Sequence, residues 1–115
     1  MISVQIFGVK NSQATRAAER FFKERRAQIH FVDLTRKSLA PAEIKRFTDR
    51  FGLATLIDTE SESWIDSGLK YLKMSDSQLI EKVERDPKLL RLPLIRSGNL
   101  VSVGKDEEAW KAMLG

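Results

Sequence analysis

The first thirty-two residues change hydrophobic period twice, and that double change constrains the fold more than any other feature of the chain. Ile2, Val4 and Ile6 alternate with Ser3 and Gln5, and Phe7 then leads into Gly8. A period of two predicts a short strand running into a glycine-containing loop. From Gln13 the apolar residues Ala14, Ala17, Ala18, Phe21 and Phe22 fall at helical spacing, which predicts an amphipathic helix. Ser12 or Asn11 is placed to cap its start, and the cations from Lys23 to Arg26 close it where the helix dipole favours positive charge. Ile29-His30-Phe31-Val32 is β-branched and aromatic, and predicts a second strand. A strand, helix and strand in this order predict a parallel pair joined by a right-handed crossover.

The remainder reads as helices followed by a hairpin. Pro41 sits in the first turn of a helix that carries Ile44, Phe47 and Phe51 along one face, and Gly52 supplies its stop. Residues 53 to 63 read as irregular. A short helix is expected from Trp64 to Tyr71 and another from Ser75 to Arg85, which Asp86-Pro87 ends. Leu92-Pro93-Leu94-Ile95 reads as a strand, Ser97-Gly98-Asn99 as a hairpin turn and Leu100 to Val103 as the returning strand. Asp106 to Leu114 closes the chain as a helix. The order βα-β-ααα-ββ-α predicts an α/β domain built on a four-stranded mixed sheet.

Composition narrows the chemistry. The chain has 115 residues, 42% of them hydrophobic and 31% charged, which suits one globular domain rather than a disordered segment. It contains no cysteine, so a disulfide framework, a cysteine metal site and a thiol nucleophile of its own are all excluded. No apolar run approaches the ~20 residues of a membrane span. Met1-Ile2-Ser3-Val4 lacks the charged region and apolar core of a signal peptide. A cytoplasmic location without a membrane partner is therefore expected. Net charge is +4. The basic stretches Arg16–Arg26 and Arg36–Arg50 are interleaved with Glu19, Glu24, Glu43 and Asp49 and lack alternating aromatics. They read as solvated helix faces, and direct nucleic-acid binding is not expected.

Four local motifs stand in a fixed order. Gly8-Val9-Lys10-Asn11-Ser12-Gln13-Ala14-Thr15-Arg16-Ala17-Ala18 joins the first strand to the first helix. Phe51-Gly52 ends the central helix, Leu92-Pro93 opens a late strand, and Val103-Gly104 precedes Trp110. In this order and spacing, from Val4 to Leu114, the chain resembles the thioredoxin-fold family of arsenate reductases with their Spx-type and YffB-type relatives. The resemblance implies one thioredoxin-like domain over residues 1–115, a four-stranded mixed sheet with flanking helices and a helical insertion.

The same resemblance implies where a site would lie. The family's catalytic cysteine falls at Ser12, and the second cysteine of Spx-type members falls at Thr15. A hydroxyl without a base is a poor nucleophile and forms no disulfide. The only histidine, His30, lies on the second strand and gives no support to a Ser-His pair. The family's oxyanion-holding arginines fall near Asp58, at Leu92 and in the Gly104-Lys105 region, and only Arg16 keeps its charge. Because Asp58 and Leu92 depart from the family together with Ser12, the divergence is broader than one exchange of Cys for Ser. Pro93 is expected in a cis peptide facing the Ser12 loop, with Leu92 offering its backbone to an extended peptide such as glutathione. The implied binding set is Asn11, Ser12, Thr15, Arg16, Leu92 and Pro93, with weak anion binding supported by Arg16 and Lys10.

Two functional readings follow. The first is a redox-inactive binding or regulatory module. In Spx-type relatives a glycine after the central helix contributes to docking on the RNA polymerase α subunit. Gly52 fits that position, although a plain helix C-cap is the simpler reading of it. The second reading is a glutathione-dependent reductase or transferase, in which Ser12 and the helix N-terminus hold the thiolate of a bound substrate. Neither reading requires a cofactor other than glutathione.

Overall fold

A computed structural model describes residues 2–69 and 73–115. Strand β1 (Ser3–Gly8), helix α1 (Gln13–Glu24) and strand β2 (Gln28–Asp33) form the opening unit. Among the described residues four α-helices follow: α2 (Pro41–Phe51), α3 (Leu53–Leu56), α4 (Glu62–Ser67) and α5 (Asp76–Arg85). A 3-10 turn at Pro87–Leu89 leads to β3 (Leu94–Ser97), β4 (Leu100–Val103) and α6 (Glu107–Met113). The sheet order is β2-β1-β3-β4. β1 and β2 are parallel, and β3 runs antiparallel to both β1 and β4. This is the four-stranded mixed sheet with flanking helices that the sequence predicts.

The sheet has a core on each face because β1 alternates. Val4 and Ile6 point to one side, where Ala18, Phe22, Ile95, Trp110 and Met113 bury them under α1 and α6. Trp110 is fully buried, with its ring centroid 5.4 Å from Phe21 and 6.1 Å from Phe22. Phe7 points to the other side and meets the Phe47 ring edge-on at 6.2 Å. Ile44, Leu56, Ile57, Leu89 and Leu94 complete that second core. Aromatic pairs at these distances add to the burial of their area.

The sequence reading needs correction in three places. Residues 53–63 are not wholly irregular: α3 forms there, and α4 begins at Glu62. Ser61 caps α4 by accepting the Trp64 N–H at 3.1 Å, which moves the helix start ahead of Trp64. α4 then ends at Ser67, where Gly68 turns left-handed with φ of 69°; Tyr71, the end expected from sequence, lies outside the described residues. Third, β3 starts at Leu94 rather than Leu92. The Leu92–Pro93 bond is cis, as expected, and precedes the strand; proline has no N–H to give to a ladder. Among the described residues no helix is long and apolar enough to cross a membrane.

Candidate functional site

The loop from Val9 to Ser12 is held at both ends. Val9 is buried, and its carbonyl accepts the Ser12 N–H at 3.1 Å. Ser12 is extended, with φ of −82° and ψ of 122°, and its Oγ accepts the Thr15 N–H at 3.2 Å. Ser12 is therefore the N-cap of α1, and its hydroxyl oxygen is committed to a backbone donor that would otherwise be free to bind an anion. Behind it, Gly8 and Thr15 are in close approach. A Cβ on Gly8 would lie 2.5 Å from Thr15 Oγ1, so the glycine is what lets α1 seat on β1. Thr15 is fully buried in that seat, and its Oγ1 has no partner. It faces the sheet rather than solvent.

Asn11, Ser12 and Leu92 line one groove of about 740 Å³, and Pro93, next to Leu92 in the chain, is fully buried and does not line it. The Leu92 N–H donates to the Leu90 carbonyl at 3.0 Å, and the Pro93 carbonyl accepts the Gly104 N–H at 2.9 Å. The far wall carries Asp58, Glu62, Asp66 and Asp86, and among the described residues the only cation lining the groove is Lys88. Two of these carboxylates also hold turns: Asp58 Oδ1 accepts the Glu60 N–H, and Asp86 Oδ1 accepts the Lys88 N–H, each at 3.1 Å. The neighbouring Arg91 pairs with one of these carboxylates. Arg91 Nε donates to the Thr55 carbonyl at 3.3 Å and its Nη2 to the Ile57 carbonyl at 3.2 Å, while Nη1 stands 3.9 Å from Asp58. It ties the α3 segment to the chain before β3 and leaves the groove acidic.

Arg16 does not share this groove. It lines a second one, of about 630 Å³, with Gln13, Arg20 and Lys105 and without a carboxylate. Ala14 borders both. Lys10 lines neither groove and sits near Asp33. The Thr35 hydroxyl and N–H hold the Asp33 carboxyl below its ordinary pKa, and the charges of Lys10 and Arg36 act in the same direction. His30 lies on β2 beside a third groove with Gln5 and Arg96, so no imidazole stands at Ser12. Gly52 ends α2 with φ of 82° and donates its N–H to the Thr48 carbonyl at 2.8 Å. That backbone conformation accounts for the glycine. Gly52 is exposed and apart from the Ser12 groove.

The acidic wall is the part of the site that sequence reasoning missed. Its signal was present: residues 51–69 carry Asp58, Glu60, Glu62 and Asp66 without one Lys or Arg, although the chain as a whole is basic.

The sequence profile of the ArsC family matches residues 7–113. The chain belongs to the ArsC family. Solved structures agree in fold. The arsenate reductase from Vibrio cholerae superposes with a TM-score of 0.81 at 18% identity, covering 96% of this chain and 97% of that one. A YFFB protein gives 0.86 at 17% identity, with 97% and 99% covered. An arsenate reductase (ArsC) related protein from Brucella melitensis gives 0.67 at 17% identity, with 96% and 93% covered. No curated protein matches the chain by sequence. The thioredoxin-like fold that the motifs imply is thus shown, and the chain is a cysteine-free ArsC-family member.

Proposed function

We propose that this ArsC-family chain is a redox-inactive binding or regulatory module working in the cytoplasm, and not an arsenate reductase. One observation carries the reading. The residue at the family's nucleophile position, Ser12, spends its side-chain oxygen as a helix cap in a groove walled by carboxylates. A thiolate nucleophile needs a thiol, and oxyanion binding needs a lining in which cations outnumber carboxylates. This groove offers neither. The same carboxylates oppose glutathione, whose two carboxylates would enter a field of like charge. A protein partner is the better-supported occupant of the scaffold, with the RNA polymerase α subunit as the candidate that family resemblance suggests.

The test has two arms on the unaltered chain. Amide shifts are followed while glutathione and then arsenate are titrated in, and the polymerase α subunit is offered on a resin. The reading predicts no shifts at Asn11, Ser12 or Leu92 with either small molecule, and no reduction of arsenate. Saturable binding of glutathione at those amides, together with turnover of an electrophile, would establish the transferase reading instead. Loss of the polymerase from the washed resin would remove that partner.

A further inference from the structure

β2 is an edge strand with little cover. Gln28 and His30 are exposed, and Ile29, Phe31, Val32 and Asp33 are only half-buried. Its bonding to β1 has a fixed parity. The Gln28 N–H donates to the Ile2 carbonyl at 2.7 Å and the Leu34 N–H to the Gly8 carbonyl at 2.9 Å. The parallel register runs unbroken between them, from Ser3 opposite Gln28 to Gly8 opposite Asp33. Alternate residues of a parallel strand address the same neighbour. Gln28, His30 and Val32 therefore direct their backbone groups to β1, and Ile29 and Phe31 direct theirs outward. Among the described residues nothing outside the ladder bonds the outward groups of Ile29 and Phe31.

Proteins usually blunt such an edge with a very short strand, a lysine, a proline or a bulge. The opposite edge, β4, is only four residues long. β2 has six residues, Gln-Ile-His-Phe-Val-Asp, and uses none of these devices.

We propose that β2 is a self-association edge, where two copies of the chain pair antiparallel about a twofold axis at His30 and Ile29 of each exchanges backbone hydrogen bonds with the partner's Phe31. In an antiparallel pair, residues that direct both backbone groups at the partner form the hydrogen-bonded pairs. This register uses every outward group of Ile29 and Phe31. It also sets those two side chains together on the face packed over the α1 and α6 core, where both are now half-buried.

The ends of the strand match in charge. Asp33 stands opposite the partner's Ala27, next to the partner's Arg26. Arg26 is exposed, and among the described residues its side chain makes no hydrogen bond or ion pair. Its left-handed backbone, with φ of 60°, turns the chain into β2. Asp33 is held as a carboxylate by Thr35. Twofold symmetry repeats the contact at both ends. Moving the axis to Phe31 would instead set Arg26 against the partner's Arg36. This self-complementary pattern favours a second copy over an unrelated strand.

The test is sedimentation of the full chain from micromolar to near-millimolar concentration at low salt, with amide hydrogen exchange at both ends of that range. The expected result is a mass that rises to twice that of the chain. Exchange at the Ile29 and Phe31 amides should slow with concentration, while His30 and Val32 stay unchanged. Arg26→Glu or Asp33→Lys alone should weaken the dimer by about tenfold, and the two together should restore it. A monomer across the whole range would overturn the proposal. A dimer whose exchange lacks the odd-residue pattern would do so as well, even if a variant failed to fold.

Discussion

The two grooves that meet at Ala14 carry opposite charge. The one holding Ser12 is walled by Asp58, Glu62, Asp66 and Asp86 against Lys88, and the one holding Arg16 adds Arg20 and Lys105 with no carboxylate. In the arrangement that family resemblance implies, nucleophile and cations serve one ligand. Here the cation kept from the motif, Arg16, lines the neighbouring groove and not the acidic one. Retaining a charged residue in a motif therefore does not retain a site. What matters is which wall the side chain lines, and the seating of α1 decides that.

The largest effect on this comparison should come from that seat. Gly8→Ala places a methyl 2.5 Å from Thr15 Oγ1, and overpacking of this kind costs about 1–3 kcal/mol. Thr15 is its neighbour across the contact, so Gly8→Ala combined with Thr15→Ala should recover part of the loss. Chemical denaturation of Gly8→Ala, Thr15→Ala and the double variant measures it. An additive double variant would show that the seat is not where α1 is fixed.

Opposite charge across Ala14 can be read with introduced thiols. Ser12→Cys faces the acidic groove and Gln13→Cys the basic one. The ratio of rates with a cationic and an anionic disulfide should be higher at position 12 than at position 13, by about tenfold at low salt. The contrast should shrink as salt is added. Equal ratios would mean that the grooves do not differ in potential.

A smaller effect is expected from the cap. Ser12→Ala leaves the Thr15 N–H without its acceptor and should cost about 1 kcal/mol. Ser12→Asp should keep the cap and lose less. Thermal melting of both variants checks the order. If alanine were the more stable, Ser12 would have to be kept for something other than capping.

How far the sequence could be read depended on how local each signal was. β1, α1 and β2 were legible because the period changes from two to 3.6 and back within one short stretch, and the same change narrowed the cap to Asn11 or Ser12, of which the structure shows Ser12. The hairpin at Ser97-Gly98-Asn99 was equally local. α3 was not, because a single turn at Leu53–Leu56 is too short to show a period. The acidic wall was hidden for another reason. It is assembled from α4, from Asp58 and from Asp86, far from Ser12 in the chain, and only the fold brings them together. Thr15 and Arg16 are adjacent in sequence, yet one is buried against Gly8 and the other is exposed in the second groove. Motif spacing locates the helix carrying them and leaves open which way each side chain faces.

The central claim is that the Ser12 groove is closed to arsenate by its charge as well as by its missing thiol. Ser12→Cys separates the two causes. The helix N-terminus should give the new thiol a pKa below the free value of ~8.5, measurable by its rate of alkylation against pH. Arsenate reduction is then assayed with glutathione and glutaredoxin as donors. The account predicts a reactive cysteine and no arsenate reduction above background. Enzyme-like turnover by this single variant would contradict it, because the acidic wall and the absent arginines would then be no obstacle to the oxyanion.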